Sequence, residues 1–114
     1  MCGILGFAAS GQLQTERLPL AMAALQHRGP EGQGESIEGQ VALGHTRLSI
    51  IDLEGGAQPL RTPCGRYVLV ANGEIYNHVE LRQELSALGA QFLTGSDCEV
   101  ILQGYALWGR DGLQ

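Results

Sequence analysis

The second residue of the chain is a cysteine, and its position matters more than its type. If the initiator methionine is removed, Cys2 carries a thiol and a free α-amine on the same carbon. Such an amine has a pKa of about 7.7–8.0, so about a tenth or more is neutral at pH 7 and can act as a base. A nucleophile activated by its own N-terminal amine needs no histidine partner. Read alone, Cys2 could equally be a small apolar residue opening a buried strand. Further along stand Arg47, Asn72, Gly73, Glu74 and Asp97. Arginine offers a planar fork that suits a carboxylate. Each has a structural reading too: a surface charge for Arg47, a turn for Asn72-Gly73, and helix-dipole compensation for Asp97.

Around these residues the chain alternates short strands and helices. Residues 3–8 form an apolar run between glycines and predict a buried strand at the very start. Leu18, Met22 and Leu25 fall at i, i+4, i+7, a helical stripe with Pro19 tolerated in its first turn. The glycine-dense stretch 27–39 (HRGPEGQGESIEG) reads as loop. Residues 41–51 read as a strand, 52–63 as turn-rich, and 66–71 as a second strand joined through Asn72-Gly73 to residues 74–76 as a hairpin. Asn77 and Glu80 signal a capped helix with Leu81, Leu85 and Leu88 on its apolar face and Gly89 closing it. Ser96 and Glu99 signal a capping box for a second helix whose face is Ile101, Leu102, Tyr105 and Trp108, ending at Gly109. Strands carrying helices on one face predict a mixed α+β layer structure.

Composition narrows the function classes. The 114 residues allow one domain at most, and seven arginines against twelve acidic residues leave a net charge of −5 with no basic stripe. Nucleic acid and an anionic membrane are therefore poor partners. No apolar run approaches the roughly 20 residues of a membrane span, and MCGILGFAASG has no basic n-region. Cys2, Cys64 and Cys98 are too far apart for a CxxC metal or redox pair, and their odd number argues against a secreted disulfide framework. A reducing cytoplasm is expected, with no metal site, and Cys64 and Cys98 are expected to be inert thiols. His27, His45 and His78 are scattered and need no chemical role; His78 opens a helix, where contact with solvent is expected.

Taken in order, MCGI, HRGPEGQG, HTRLSIIDLEGGAQPL, ANGEIYN and TGSDCEVIL cover almost the whole chain. Together they resemble the N-terminal glutamine amidotransferase domain of glutamine-hydrolysing asparagine synthetases, a class II, N-terminal nucleophile amidotransferase. MCGI alone would also fit the phosphoribosyl-pyrophosphate and glucosamine-phosphate amidotransferases; RLSIIDL, GAQPL and NGEIYN carry the asparagine synthetase character. The resemblance implies an N-terminal nucleophile hydrolase αββα sandwich, incomplete in this chain, with residues 1–114 as the N-terminal part of the domain. It implies that Cys2 attacks the side-chain amide of L-glutamine, expelling ammonia and leaving a thioester that water cleaves. Asn72 and Gly73 would form the oxyanion hole, Arg47 would hold the α-carboxylate, Asp97 with Glu74 nearby would take the α-ammonium, and Leu48, Ser49, Ile50 and Ile51 would line the pocket. His27 and Arg28 fall in the family's mobile loop, as positional residues. Where the family pattern has aspartate after the loop's proline, Glu31 stands here.

No cofactor is expected in this chain. No SGGxDS-type nucleotide loop is present, so ATP and Mg are expected only in a C-terminal synthetase domain, the implied partner. The resemblance allows a homodimer in the full-length enzyme. Two alternatives stay open: a truncated, non-catalytic fragment or binding module that keeps the glutamine-site motifs, and an amidotransferase serving a different carboxylate or a sugar acceptor.

Overall fold

The computed structural model describes residues 1–48 and 56–114, and the chain divides into two compact units. The first comprises Met1–Pro59 with Val70–Asn72, and the second Leu60–Leu69 with Gly73–Gln114. The architecture is mixed α and β.

The first unit is built on a three-stranded antiparallel sheet in the order β1-β3-β2, with β1 at Gly3–Ala8, β2 at Gly32–Glu38 and β3 at Val41–Arg47. The register pairs Gly3 with Thr46 and Gly32 with Arg47, so the strands end in step on both sides of the central strand. Side chains alternate between faces. Leu5, Phe7 and Ala42 lie on one face, and helix α1 (Arg17–Leu25) covers it with Leu18 and Met22. Leu18 is 1% exposed, and Leu13 completes the cluster. At Gly44 the helix comes so close that an added Cβ would stand 2.5 Å from the Met22 sulfur. The opposite face carries Leu43, His45 and Arg47.

Strand β1 has the bounds expected from its apolar run, and α1 buries Leu18 and Met22 of the expected stripe. Strand β2 lies in the stretch expected to be loop. Its glycines serve close approach and not turning. A Cβ on Gly34 would fall 1.8 Å from the Gln58 carbonyl oxygen, and one on Gly29, just before the strand, 2.4 Å from the Arg47 nitrogen. Glycine in a strand can mark such an approach of a second backbone. Of the strand expected over 41–51, residues 41–47 form β3; residues 49–51 lie outside the described residues.

The second unit contains a short antiparallel pair, β4 (Leu60–Arg61) with β5 (Val68–Leu69), and two helices, α2 (His78–Ala87) and α3 (Glu99–Trp108). The pair is closed by Thr62, which donates its N–H to the Tyr67 carbonyl and accepts the Tyr67 N–H on its hydroxyl. The strand expected over 66–71 is thus only two residues long. Residues 74–76 form no strand, so the expected hairpin through Asn72-Gly73 is absent. Leu85 of α2 and Val100 and Leu102 of α3 are buried.

Helix α2 starts where expected and α3 two residues later than a Ser96 cap implies, and neither has the expected cap. Asn77 occupies the N-cap of α2 and makes no side-chain cap bond. At α3 the N-cap is Cys98, because the Glu99 carboxylate turns away from Ser96 and accepts the N–H groups of Leu93 and Thr94 and the Thr94 hydroxyl. Arg82 holds the same connection, donating to the Thr94 and Ser96 carbonyls while its guanidinium lies 4.2 Å from the Phe92 ring centre. Gly89 and Gly109 close the helices with φ of +100° and +62°, a conformation that favours glycine.

The fold rests on α1 sealing one sheet face. Leu18→Ala should destabilise the chain by about 2–5 kcal/mol in denaturant unfolding, as expected for a buried leucine that leaves a cavity. A loss under about 1 kcal/mol would contradict the packing of α1 on that face.

Candidate functional site

The end of β3 organises the reactive residues of the first unit. Continuing the β1–β3 register by one residue sets Cys2 opposite Arg47. The next peptide then grips the sulfur from both sides: the Leu48 N–H donates to Cys2 Sγ at 3.4 Å, and the thiol donates to the Leu48 carbonyl at 3.7 Å. Arg28 Nε donates to the Cys2 carbonyl at 3.4 Å, holding the backbone on the other side of the same residue. Gly3 keeps the approach possible, since a Cβ there would lie 2.6 Å from Thr46 Oγ1. Met1 is 74% exposed, so the bond that would free the Cys2 amine is accessible.

A cavity of about 180 Å³ is lined by Glu31, Gly32, Gln33, His45, Arg47, Ala57 and Gln58. Its size is below the roughly 300–1,000 Å³ of drug-sized ligand sites and suits a small metabolite. Arg47 and His45 reach it from alternate positions of β3. The loop that carries Glu31 is fastened to the same strand end, the Glu31 N–H donating to the Arg47 carbonyl at 3.1 Å.

His45 is a lining residue that sequence reasoning set aside. It is 2% exposed, and its Nε2 has no hydrogen-bond partner. Its pKa is lowered from the ordinary 6.5, chiefly by burial; a hydrogen bond to the Ala71 backbone works in the opposite direction, and the positive charge of Arg47 adds to the lowering. The available signal was its spacing: two residues before Arg47 on a strand means the same face.

The oxyanion candidates sit on a segment whose backbone donors are taken by side chains. Gln58 Oε1 accepts the Ala71 N–H at 2.6 Å, within the first unit. In the second unit, Asp97 Oδ2 accepts the Ile75 N–H at 2.7 Å, and the Cys98 thiol donates to the Gly73 carbonyl at 3.6 Å. No ladder bonds are left for a hairpin. Asn72, Gly73 and Glu74 are exposed and Asp97 is half-buried. Cys2, Arg47, Leu48 and Asn72 thus belong to the first unit, and Gly73, Glu74 and Asp97 to the second. Ser49, Ile50 and Ile51 lie outside the described residues.

Two other expectations need correction. Cys64 is exposed, and its thiol pKa is lowered, first by the Thr62 hydroxyl and then by the Arg66 backbone, so it is more reactive than an inert thiol. Cys98 is buried. His78 is half-buried, with Nδ1 enclosed and unpartnered, in place of the expected solvent contact. Among the described residues, no group of three or more His, Cys, Asp or Glu could hold a metal ion, and no helix is long and apolar enough to cross a membrane.

The lowered His45 pKa has a testable sign. Because the folded state binds this proton less readily than the unfolded state, its contribution to stability is complete above about pH 6.5 and is lost as pH falls from there through the lower folded pKa. Denaturation between pH 7 and pH 5 should show stability falling with pH, and His45→Gln should flatten the slope. An unchanged slope in the variant would contradict the burial of a neutral imidazole.

Comparison with known proteins fits this geometry. The family model described as a glutamine amidotransferase domain matches residues 1–114. The chain is similar to a probable glutamine-hydrolysing asparagine synthetase of Schizosaccharomyces pombe, 45% identical over 92% of this chain and 19% of the relative. It is also similar to a putative glutamine-hydrolysing asparagine synthetase of Mycobacterium bovis, 42% identical over 100% of this chain and 20% of the relative. A third relative is the glutamine-hydrolysing asparagine synthetase B of Escherichia coli, 44% identical over 92% of this chain and 19% of the relative. The chain spans about a fifth of the length of these curated relatives. With a family match from end to end, the chain belongs to the glutamine amidotransferase domain family.

Proposed function

We propose that this domain hydrolyses the side-chain amide of L-glutamine through a Cys2 thioester and supplies the ammonia for ATP-dependent synthesis of asparagine from aspartate. The observation that carries the reading is the Leu48 peptide on both sides of the Cys2 sulfur, one residue from Arg47 at the cavity. The names of the relatives, which describe glutamine-hydrolysing asparagine synthetases, support the acceptor.

In this mechanism Met1 is removed and the α-amine of Cys2 takes the thiol proton. The thiolate attacks the amide carbon, forming a C–S bond and placing negative charge on the amide oxygen. The Asn72 side-chain amide and the Gly73 N–H meet that charge, which exists only in the transition state and the intermediate that follows. The C–N bond breaks as the ammonium of Cys2 returns its proton to the leaving nitrogen, and ammonia departs. Water, deprotonated by the same amine, cleaves the thioester to glutamate and restores the thiol. Arg47 pairs with the substrate α-carboxylate. Asp97, whose Oδ2 is engaged with Ile75, and Glu74 take the α-ammonium, and residues 48–51 line the pocket.

The same reading assigns the fuller architecture to an N-terminal nucleophile αββα sandwich, of which the β1-β3-β2 sheet with α1 on one face would be one half. A C-terminal synthetase domain is the partner, and ATP and Mg belong there. The site is cytoplasmic, and no residue of this chain is assigned to a cofactor or a metal.

Ammonia release from glutamine tests the reading in the polypeptide that carries this domain. Cys2→Ala should abolish it. Arg47→Ala should raise KM at least about tenfold, since removing one partner of a buried charge pair costs about 2–5 kcal/mol. Asn72→Ala should lower kcat by about 10²–10³ with little change in KM. Hydrolysis that survives Cys2→Ala would end the thioester reading, and equal effects of Asn72→Ala on kcat and KM would end the oxyanion assignment.

A further inference from the structure

We propose that Gln58 is a positioning residue for the oxyanion donors, holding the Ala71 N–H and so fixing the peptide that leads into Asn72. This deepens the thioester reading and rests on it. Gln58 stands in GAQPL, a motif that the mechanism above leaves without a task, and its carboxamide oxygen accepts the Ala71 N–H at 2.6 Å. Gln58 is itself fixed. The Gln58 backbone packs so closely over Gly34 that no side chain fits between them.

The consequence is preorganisation. Asn72 and Gly73 are exposed and in no strand, so ladder bonds do not set their direction. Oxyanion donors act by pointing correctly before charge develops, and a loose pair must be reoriented in every turnover. The Gln58 carboxamide holds the donors' base where sheet pairing is absent.

The test compares Gln58→Leu, which loses the acceptor, with Gln58→Glu, which keeps an acceptor oxygen at the same reach. Glutamine hydrolysis is measured in the polypeptide that carries the domain, and thermal unfolding is followed alongside. Gln58→Leu should lower kcat by about tenfold to a hundredfold with KM within about twofold, less than the 10²–10³ lost with an oxyanion donor itself. Gln58→Glu should recover most of kcat. A Gln58→Leu kcat within twofold of the parent, or a loss that Gln58→Glu does not relieve, would overturn the proposal. If Gln58→Leu does not fold, Gln58→Met removes the acceptor oxygen while keeping the length of the side chain. It should show the same selective loss of kcat, and an unchanged kcat there would overturn the proposal equally. Cys2→Ala and Asn72→Ala run in parallel: hydrolysis surviving Cys2→Ala overturns the thioester reading itself, whereas hydrolysis that needs Cys2 and slows in Asn72→Ala but ignores Gln58 overturns only the positioning role.

Discussion

The Leu48 peptide at the end of β3 is the contact on which the candidate site depends. It places an N–H and a carbonyl on the Cys2 sulfur, and it can do so only because the register from Gly3–Thr46 to Ala8–Val41 brings the chain's first residues to that point. The register in turn needs space. Gly3 meets Thr46, Gly29 meets the Thr46–Arg47 backbone, and Gly34 meets Gln58, each closer than any side chain allows. A chain with 17 glycines in 114 residues is using several of them to let backbones touch around one strand end.

The central strand divides the labour between its faces. Toward α1 it shows Ala42, Gly44 and Thr46, small groups that let Leu18 and Met22 seal the core. Toward the cavity it shows His45 and Arg47. Stability and chemistry thus share one strand, and the alternation of the strand keeps them apart. In the second unit, Asp97 and Cys98 at the start of α3 hold the Gly73–Ile75 backbone, so the buried thiol has a structural bond and no call on solvent.

Much of this was legible in the sequence because the signals were local. The apolar run of β1, the stripe of α1, and the glycines ending α2 and α3 each depend on neighbours within a few residues. The failures share a cause, which is that distant groups captured the backbone or the side chain. Strand β2 looked like loop because Gly34 answers to Gln58, 24 residues away, and not to a turn. The Asn72-Gly73 hairpin is missing because Gln58 and Asp97 take the N–H groups of Ala71 and Ile75. The capping box at Ser96 is missing because the loop at Leu93 and Thr94 offers Glu99 three donors. The catalytic candidates were legible as motifs; the support given by Gln58 was not, since a glutamine does not announce a partner 13 positions away.

The central claim is that Cys2 is the nucleophile of a formed glutamine site, and intact mass before and after a glutamine-mimicking diazoketone tests it most directly. Cys64→Ser serves as the background, because that exposed thiol would take label on its own account. The account predicts loss of Met1 and a single adduct on Cys2 that free glutamine blocks. Met1 removal with no adduct, or an adduct that glutamine does not block, would contradict it.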